Sequence, residues 1–306
     1  MTNRRDEDIA NGQFLQSCDK RGNCIEVCKY GEDFIPTAIF KMGHIPDPRT
    51  HFPLLRDMQI RDDDILLCAY MKAGTHWVWE IIAMLTGQST EYAAGPKEDT
   101  MIEFRSVEKL DALPSPRILN THIRFNNIPK GLIERKCRIV FVVRNPKDIA
   151  VSMYNHISAK GSAFAYKGSF DDFLSLFMSD VVPHNAWPGY MTGWETDFAL
   201  HPDVPRHIIY YEDLKQNPVH EVKMLASYLN VTCTDSFIDE IVDKCSFAKL
   251  KEGKAGSPKN MKWNFLYRKG EVGEWKNWFT VAQNEEFDRF LQTSTKDSNF
   301  VYKYTI

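Results

Sequence analysis

The chain has 306 residues, with 38 Lys plus Arg against 41 Asp plus Glu, a formal net charge of -3 and an isoelectric point near 6.3. That near balance excludes a globally basic nucleic-acid binder and leaves room only for a few deliberately placed cations. With 43% hydrophobic and 26% charged residues the composition is that of a globular protein, and a chain of this length buries ~75% of its unfolded surface. No run approaches the ~18–20 apolar residues of a membrane span. The start, MTNRRDEDIANGQF, reads as neither signal peptide nor anchor, so a cytoplasmic protein with no membrane partner is expected. The seven cysteines are an odd number and nowhere densely spaced, so reduced thiols are expected. Neither C-x-x-C nor H-E-x-x-H occurs and the nine histidines are scattered, so no metal site is expected.

In chain order, residues 1–39 read as a partly irregular extension, and residues 40–306 as the main domain. The first 60 or so residues are broken by Gly22, Gly31, Pro36, Gly43, Pro46, Pro48 and Pro53, which predicts short strands and loops. Asp64 to Tyr70 is an apolar run suited to a buried parallel strand. Met71 to Thr75 then makes a loop, and His76 to Leu85 a helix stopped by Gly87. A short strand is predicted over Ile118 to His122. A second strand–loop–helix unit runs from Cys137 to Val143, turns at Arg144-Asn145-Pro146, and enters a helix from Lys147 to about His156. Asn145 suits its N-cap, Pro146 its first position and Asp148 its first turn. A further strand, His207 to Tyr211, precedes a helix from about Pro218 to Leu229. Alternating strands and helices predict a single-domain α/β fold, a central parallel sheet flanked by helices. From Lys249 to Trp278 the chain is Gly-rich, basic and poorly periodic, and reads as a loop.

Ligands of open parallel sheets bind beyond the carboxyl ends of the strands. At such a point Lys72 supplies a movable charge, Gly74 a close backbone approach, Thr75 a hydroxyl, and the following helix its free N–H groups. By itself K-x-G-T reads equally as a P-loop-like phosphate cradle or as an ordinary strand–helix turn. The nucleotide-triphosphatase signature G-x-x-x-x-G-K-[ST] is absent. Arg144 and Ser152, about two helical turns apart, could flank one phosphate. Arg268 and Lys269 stand beside Gly270 and Gly273, whose backbone can turn N–H groups toward an anion. His122 is either a general base or a satisfied structural imidazole.

Three strings in this order resemble the cytosolic sulfotransferase family, over a match from about Phe40 to the end. They are Tyr70-Met-Lys-Ala-Gly-Thr-His-Trp77, Arg144-Asn-Pro-Lys-Asp-Ile-Ala-Val-Ser152 and Arg268-Lys-Gly-Glu-Val-Gly-Glu-Trp-Lys-Asn-Trp-Phe-Thr280. The resemblance implies transfer of a sulfuryl group from 3′-phosphoadenosine 5′-phosphosulfate (PAPS) to a small-molecule acceptor, without metal, leaving adenosine 3′,5′-bisphosphate (PAP). It implies that Lys72 contacts the bridging oxygen and 5′-phosphate, with Ala73, Gly74, Thr75 and His76 around it and Trp77 against the adenine. His122 is then the base. Arg144, Ser152, Arg268, Lys269 and Gly270 hold the 3′-phosphate, and Tyr211 and the Cys245-Ser246-Phe247 string contact the nucleotide. Asn120, Met153 and His156 correspond to acceptor-side positions. Lys276, Thr280, Val281 and Glu285 fit a dimerisation pattern, so a homodimer is expected, with no nucleic-acid partner.

The chain departs from many relatives at three positions: Ala73 for Ser, His76 for Thr, and Asn120 for the Lys of phenol-type members. The last change removes a cation near the transferring group, so the acceptor, whether phenol, alcohol, steroid or amine, is not transferable from those relatives. The departures motivate the alternative of a catalytically weak nucleotide-binding protein of the same fold. The loops around Ala93 to Glu108 and Lys160 to Phe170 are expected to shape the acceptor pocket.

Overall fold

The computed structural model describes residues 12–255 and 267–306. Strands β1 (Gln13–Cys18), β2 (Cys24–Tyr30) and β3 (Asp33–Pro36) form an antiparallel sheet in the order β1-β2-β3. In its first hairpin Cys18 lies opposite Cys24. The two are joined as a disulfide, which corrects the expectation of reduced thiols throughout; the other five cysteines are free. Cross-strand register, rather than sequence spacing, brought this pair together.

Two helices follow where strands and loops were expected, α1 (Thr37–Gly43) and α2 (Pro48–Arg56). Asp47 caps α2 by accepting from the Arg49 N–H at 2.9 Å, and Pro48 takes the first helical position, where no N–H is needed. This N-terminal part is fastened to the main body through the fully buried Asp33. Its carboxylate accepts from the side-chain amides of Asn127 and Asn185, each at 2.6 Å, and from the Arg124 backbone N–H.

The second sheet is parallel throughout. It contains β4 (Ile65–Ala69), β5 (Ile118–Thr121), β6 (Arg138–Val143) and β7 (Arg206–Tyr210), ordered β5-β4-β6-β7. Every residue of β4 is buried, as an unalternated apolar run in a central parallel strand requires. Behind the sheet, Phe141 packs against Tyr190, Trp194 and Phe198 of α5, which spans Trp187–Leu200. Helices α3 (Thr75–Gly87) and α4 (Pro146–Ser158) follow β4 and β6 directly. The connection after β4 leads to β5 on one side, and that after β6 leads to β7 on the other. The adjacent ends of β4 and β6 are therefore the topological switch point where α/β sheets open a crevice. Among the described residues no helix is long and apolar enough to cross a membrane.

Candidate active site

A cleft opens at that switch point, enclosing about 1340 Å³ including its mouth. Its first wall is the loop after β4. Lys72 and Gly74 both take left-handed backbone, with φ of 70° and 114°. A Cβ on Gly74 would come within 2.7 Å of the Tyr211 ring, so only glycine fits this turn. No side chain caps the start of α3, which leaves its first N–H groups for an anion. Burial, then the nearby Arg144 guanidinium, lowers the Lys72 ammonium to a pKa of about 7.

The loop after β6 forms the second wall. The Arg144 guanidinium donates to the carbonyls of Lys72 and Glu271, both at 3.1 Å, and lies 4.0 Å over the Tyr211 ring, while its Nε is buried without a partner among the described residues. Asn145 caps α4 by accepting from the Asp148 N–H at 2.8 Å, as its position predicts. Asp148 accepts from the backbone N–H groups of Gly273 (2.8 Å) and Trp275 (2.9 Å). One first-turn carboxylate thus pins the C-terminal loop onto the second unit. Within that loop Gly270 has φ 70° against the Phe247 ring. Arg268 and Lys269 both pair with the buried Glu274, at 3.1 and 2.8 Å. Burial opposes that carboxylate's charge, yet the hydrogen bonds from Lys269, Asn277 and Arg268 hold its pKa at about 2.

His122 follows β5 at the other end of the cleft and is 7% exposed. Its Nδ1 lies 2.8 Å from the Ala69 carbonyl and must donate to it, which leaves Nε2 as the lone-pair nitrogen. Burial, then Lys97 and His184, depress its pKa well below the ordinary value, so the ring is neutral at pH 7. A segment from Lys97 to Phe104 docks beside β5 through the Ile102 N–H, which donates to the Asn120 carbonyl. From it, Glu103 accepts from the His122 N–H at 2.7 Å and the Thr121 hydroxyl at 2.8 Å. Burial raises the Glu103 carboxyl to about 7 against those hydrogen bonds. His76 contacts Glu98 at 2.8 Å. Burial opposes ionisation of Glu98, but His76 and Lys97 hold it well below the carboxylate range.

Of the sequence-expected residues, Lys72, Gly74, Thr75, His76, Trp77, His122, Arg144, Ser152, His156, Tyr211, Cys245, Phe247, Arg268, Lys269 and Gly270 line this one cleft. Ala73, Asn120, Met153 and Ser246 do not. Ala73, Asn120 and Met153 are fully buried, and Ser246 begins the short helix Phe247–Leu250. Lys276, Thr280, Val281 and Glu285 lie on the exposed surface away from the cleft, with Thr280 capping the helix Val281–Ser294. The loops expected to shape the acceptor pocket contribute Lys97, Glu98, Met101, Phe104 and Phe164 to the lining, though sequence reasoning named none of these individually, and it missed His184 and, from α1, Ile39 and Met42 altogether. No local motif marks any of them.

The fold and cleft define an α/β protein that can hold a multiply charged phosphate ester beside a neutral histidine. A family model described as Sulfotransferase domain matches residues 62–299. Sulfotransferase 1C2 of Homo sapiens is 32% identical over 269 residues, which cover 82% of this chain and 90% of that protein. Sulfotransferase 6B1 of Danio rerio is 34% identical over 243 residues, 78% and 80% of the two chains. The crystal structure of mouse sulfotransferase SULT7A1 complexed with PAP aligns over 89% of this chain and 95% of that one, with a TM-score of 0.73 at 28% identity. The chain belongs to the sulfotransferase family, within its cytosolic branch.

Proposed function

We propose that this sulfotransferase takes PAPS as donor and a small, largely apolar hydroxyl compound as acceptor, with His122 as general base and Lys72 at the leaving phosphate. The observation that carries the reading is the fixed tautomer of His122, whose basic Nε2 shares a cleft with Lys72 and Arg144. The cations fit a bisphosphorylated nucleotide: Lys72 and the α3 N-terminus at the 5′ end, and Arg144, with its unpartnered Nε, and Ser152 at the 3′-phosphate. Arg268 and Lys269 exchange part of their pairing with Glu274 for that phosphate. Ile39, Met42, Met71, Met101, Phe104 and Phe164 supply apolar surface for the acceptor.

In the reaction His122 Nε2 removes the acceptor proton as the oxygen–sulfur bond forms. The sulfur–bridging oxygen bond breaks in line, and its electron pair passes to the 5′-phosphate beside Lys72. A phenol, alcohol or steroid hydroxyl fits this chemistry directly, and an unprotonated amine would use the same base. Incubation with labelled PAPS and a panel of these four acceptor types is expected to transfer label to at least one. PAP binding in a thermal-shift assay with transfer to none would instead favour the catalytically weak nucleotide-binding protein.

The exposed Lys276, Thr280, Val281 and Glu285, with Val281 77% exposed, support a homodimer. Val281→Glu should convert it to monomer in sedimentation, and an unchanged mass would reject this surface.

A further inference from the structure

Lys97 is a buried cleft-lining cation that the transfer chemistry leaves without a task. It is 3% exposed, and its ammonium donates to the neutral Oδ1 of Asn120 at 2.7 Å. Asn120 is locked in turn, donating to the Lys97 carbonyl at 2.9 Å and the Thr100 hydroxyl at 2.8 Å. Burial lowers the Lys97 pKa while the charges of Glu98 and Glu103 oppose that, but neither carboxylate is its hydrogen-bond partner: Glu98 bonds His76, and Glu103 bonds Thr121 and the His122 N–H. A buried ammonium whose one direct hydrogen bond goes to a neutral oxygen keeps donor capacity for an anionic oxygen that enters the cleft.

Its placement points to the acceptor rather than the nucleotide. Lys97 belongs to the segment clamped to β5, the strand that His122 directly follows, and the same segment contributes the apolar Met101 and Phe104. The nucleotide cations come from the ends of β4 and β6 and from the C-terminal loop. Lys97 is also the strongest charge acting on His122, whereas among the charges acting on Lys72 it stands behind Arg144 and Glu98.

We infer that Lys97, set by Asn120, is the acceptor-side cation of this enzyme, facing the acceptor oxygen while His122 removes its proton and so favouring acidic hydroxyls such as phenols over aliphatic alcohols. This rests on the sulfotransferase reading above. The step needs no further reactant: the acceptor proton goes to Nε2, the new bond is oxygen–sulfur, and the electron pair of the broken bond leaves with PAP. Lys97 keeps its protons and offsets the negative charge on the acceptor oxygen. The charged and titratable groups acting on the His122 ring are Lys97, His184, which packs edge-on against it, and His76, and Glu103 holds its backbone N–H.

The test compares wild type with Lys97→Met, Lys97→Arg, Lys97→Asn and the relocated pair Lys97→Asn/Asn120→Lys, using a phenol and an aliphatic alcohol with PAPS. Removing one well-placed charge donor costs ~10²-fold in kcat, and Lys97→Met is expected to lose this with the phenol while the phenol-to-alcohol ratio of kcat/KM falls by about tenfold or more. Losing the cation removes a force against protonation of His122. The acid limb of the pH profile should therefore move up toward the ordinary histidine value of ~6.5. PAP affinity should stay within about twofold, Lys97→Arg should keep most of the ratio, and the relocated pair should recover about tenfold over Lys97→Asn.

An unmoved ratio and acid limb, or a loss of PAP affinity in step with kcat, would overturn the assignment. NMR titration of His122 in the PAP complex reads the same interaction without any acceptor. An unchanged titration in Lys97→Met, or in Lys97→Arg and the relocated pair should Lys97→Met not fold, also overturns it. No transfer by the wild type would instead count against the proposed function alone.

Discussion

The two ends of the cleft are built on different plans. The end proposed to hold the nucleotide (the nucleotide end) consists of short contiguous strings at strand ends, tied together by backbone-directed hydrogen bonds. Glu212 accepts from the Asn145 N–H and side-chain amide, Asp148 holds Gly273 and Trp275, and Arg144 reaches back to the Lys72 carbonyl. The end proposed for the acceptor is assembled from separate segments, α1, the stretch 97–104, Phe164 and His184, and its lining is largely apolar side chains. A fixed ligand rewards a rigid cradle that a local sequence can encode. A variable ligand is met by side chains carried on loops and anchored at a distance. His184 shows the anchoring: its N–H donates to the Phe34 carbonyl at 2.8 Å, and neighbouring Asn185 bonds the Phe34 N–H and Asp33.

If the two ends are separate in this way, substitutions should sort by which quantity they change. The largest effect is expected for His122→Ala, which should lower kcat by ~10²–10⁴-fold, the usual worth of a general base, while calorimetric PAP affinity stays within about twofold. A comparable loss of PAP affinity would show that the ends are not independent. Lys72→Met should cost ~10²–10³-fold in kcat and, unlike His122→Ala, also weaken PAP, which measures how far the leaving-group cation belongs to both ends. Asp148→Ala releases the loop carrying Arg268 and Lys269. Loss of two charge-assisted hydrogen bonds should raise the PAP dissociation constant about tenfold, with kcat at saturating PAPS changed much less.

The smallest expected signal is a proton. Lys72 has a pKa of about 7, so at pH 8 it is mostly neutral; an anion beside it raises that value. PAP binding at pH 8 should then take up approaching one proton, seen as a dependence of calorimetric enthalpy on buffer ionisation. The uptake should fade as pH drops below 7, where Lys72 is already charged, and vanish in Lys72→Met. Equal uptake in that variant would place the proton on another group.

Much of the nucleotide end was legible in advance because its chemistry is local. Pro146, Asn145 and Asp148 mark a helix start, and the strand before them is apolar on both faces. Ala73 and Ser246 belong to those strings but stand off the cleft, because only some positions of a turn face inward. The disulfide, α1 and α2 were not legible, because hairpin register and packing decided them against the breakers in that stretch. Asn120 is the most instructive case. In sequence it looks like a lost cation; in the folded chain it holds a buried one, Lys97, 23 residues away.

By itself the sequence determined the class of fold and most of the residues proposed for the donor side that line the cleft, since hydrophobic period, caps and short loop strings act over a few residues. Only the tertiary structure decided which nitrogen of His122 is free, that Glu274 holds both C-terminal cations, and that Lys97, Glu98 and His184 join the cleft. Those features depend on contacts between segments far apart in the chain, made when the stretch 97–104 docks beside β5 and the N-terminal sheet anchors the 184–185 turn.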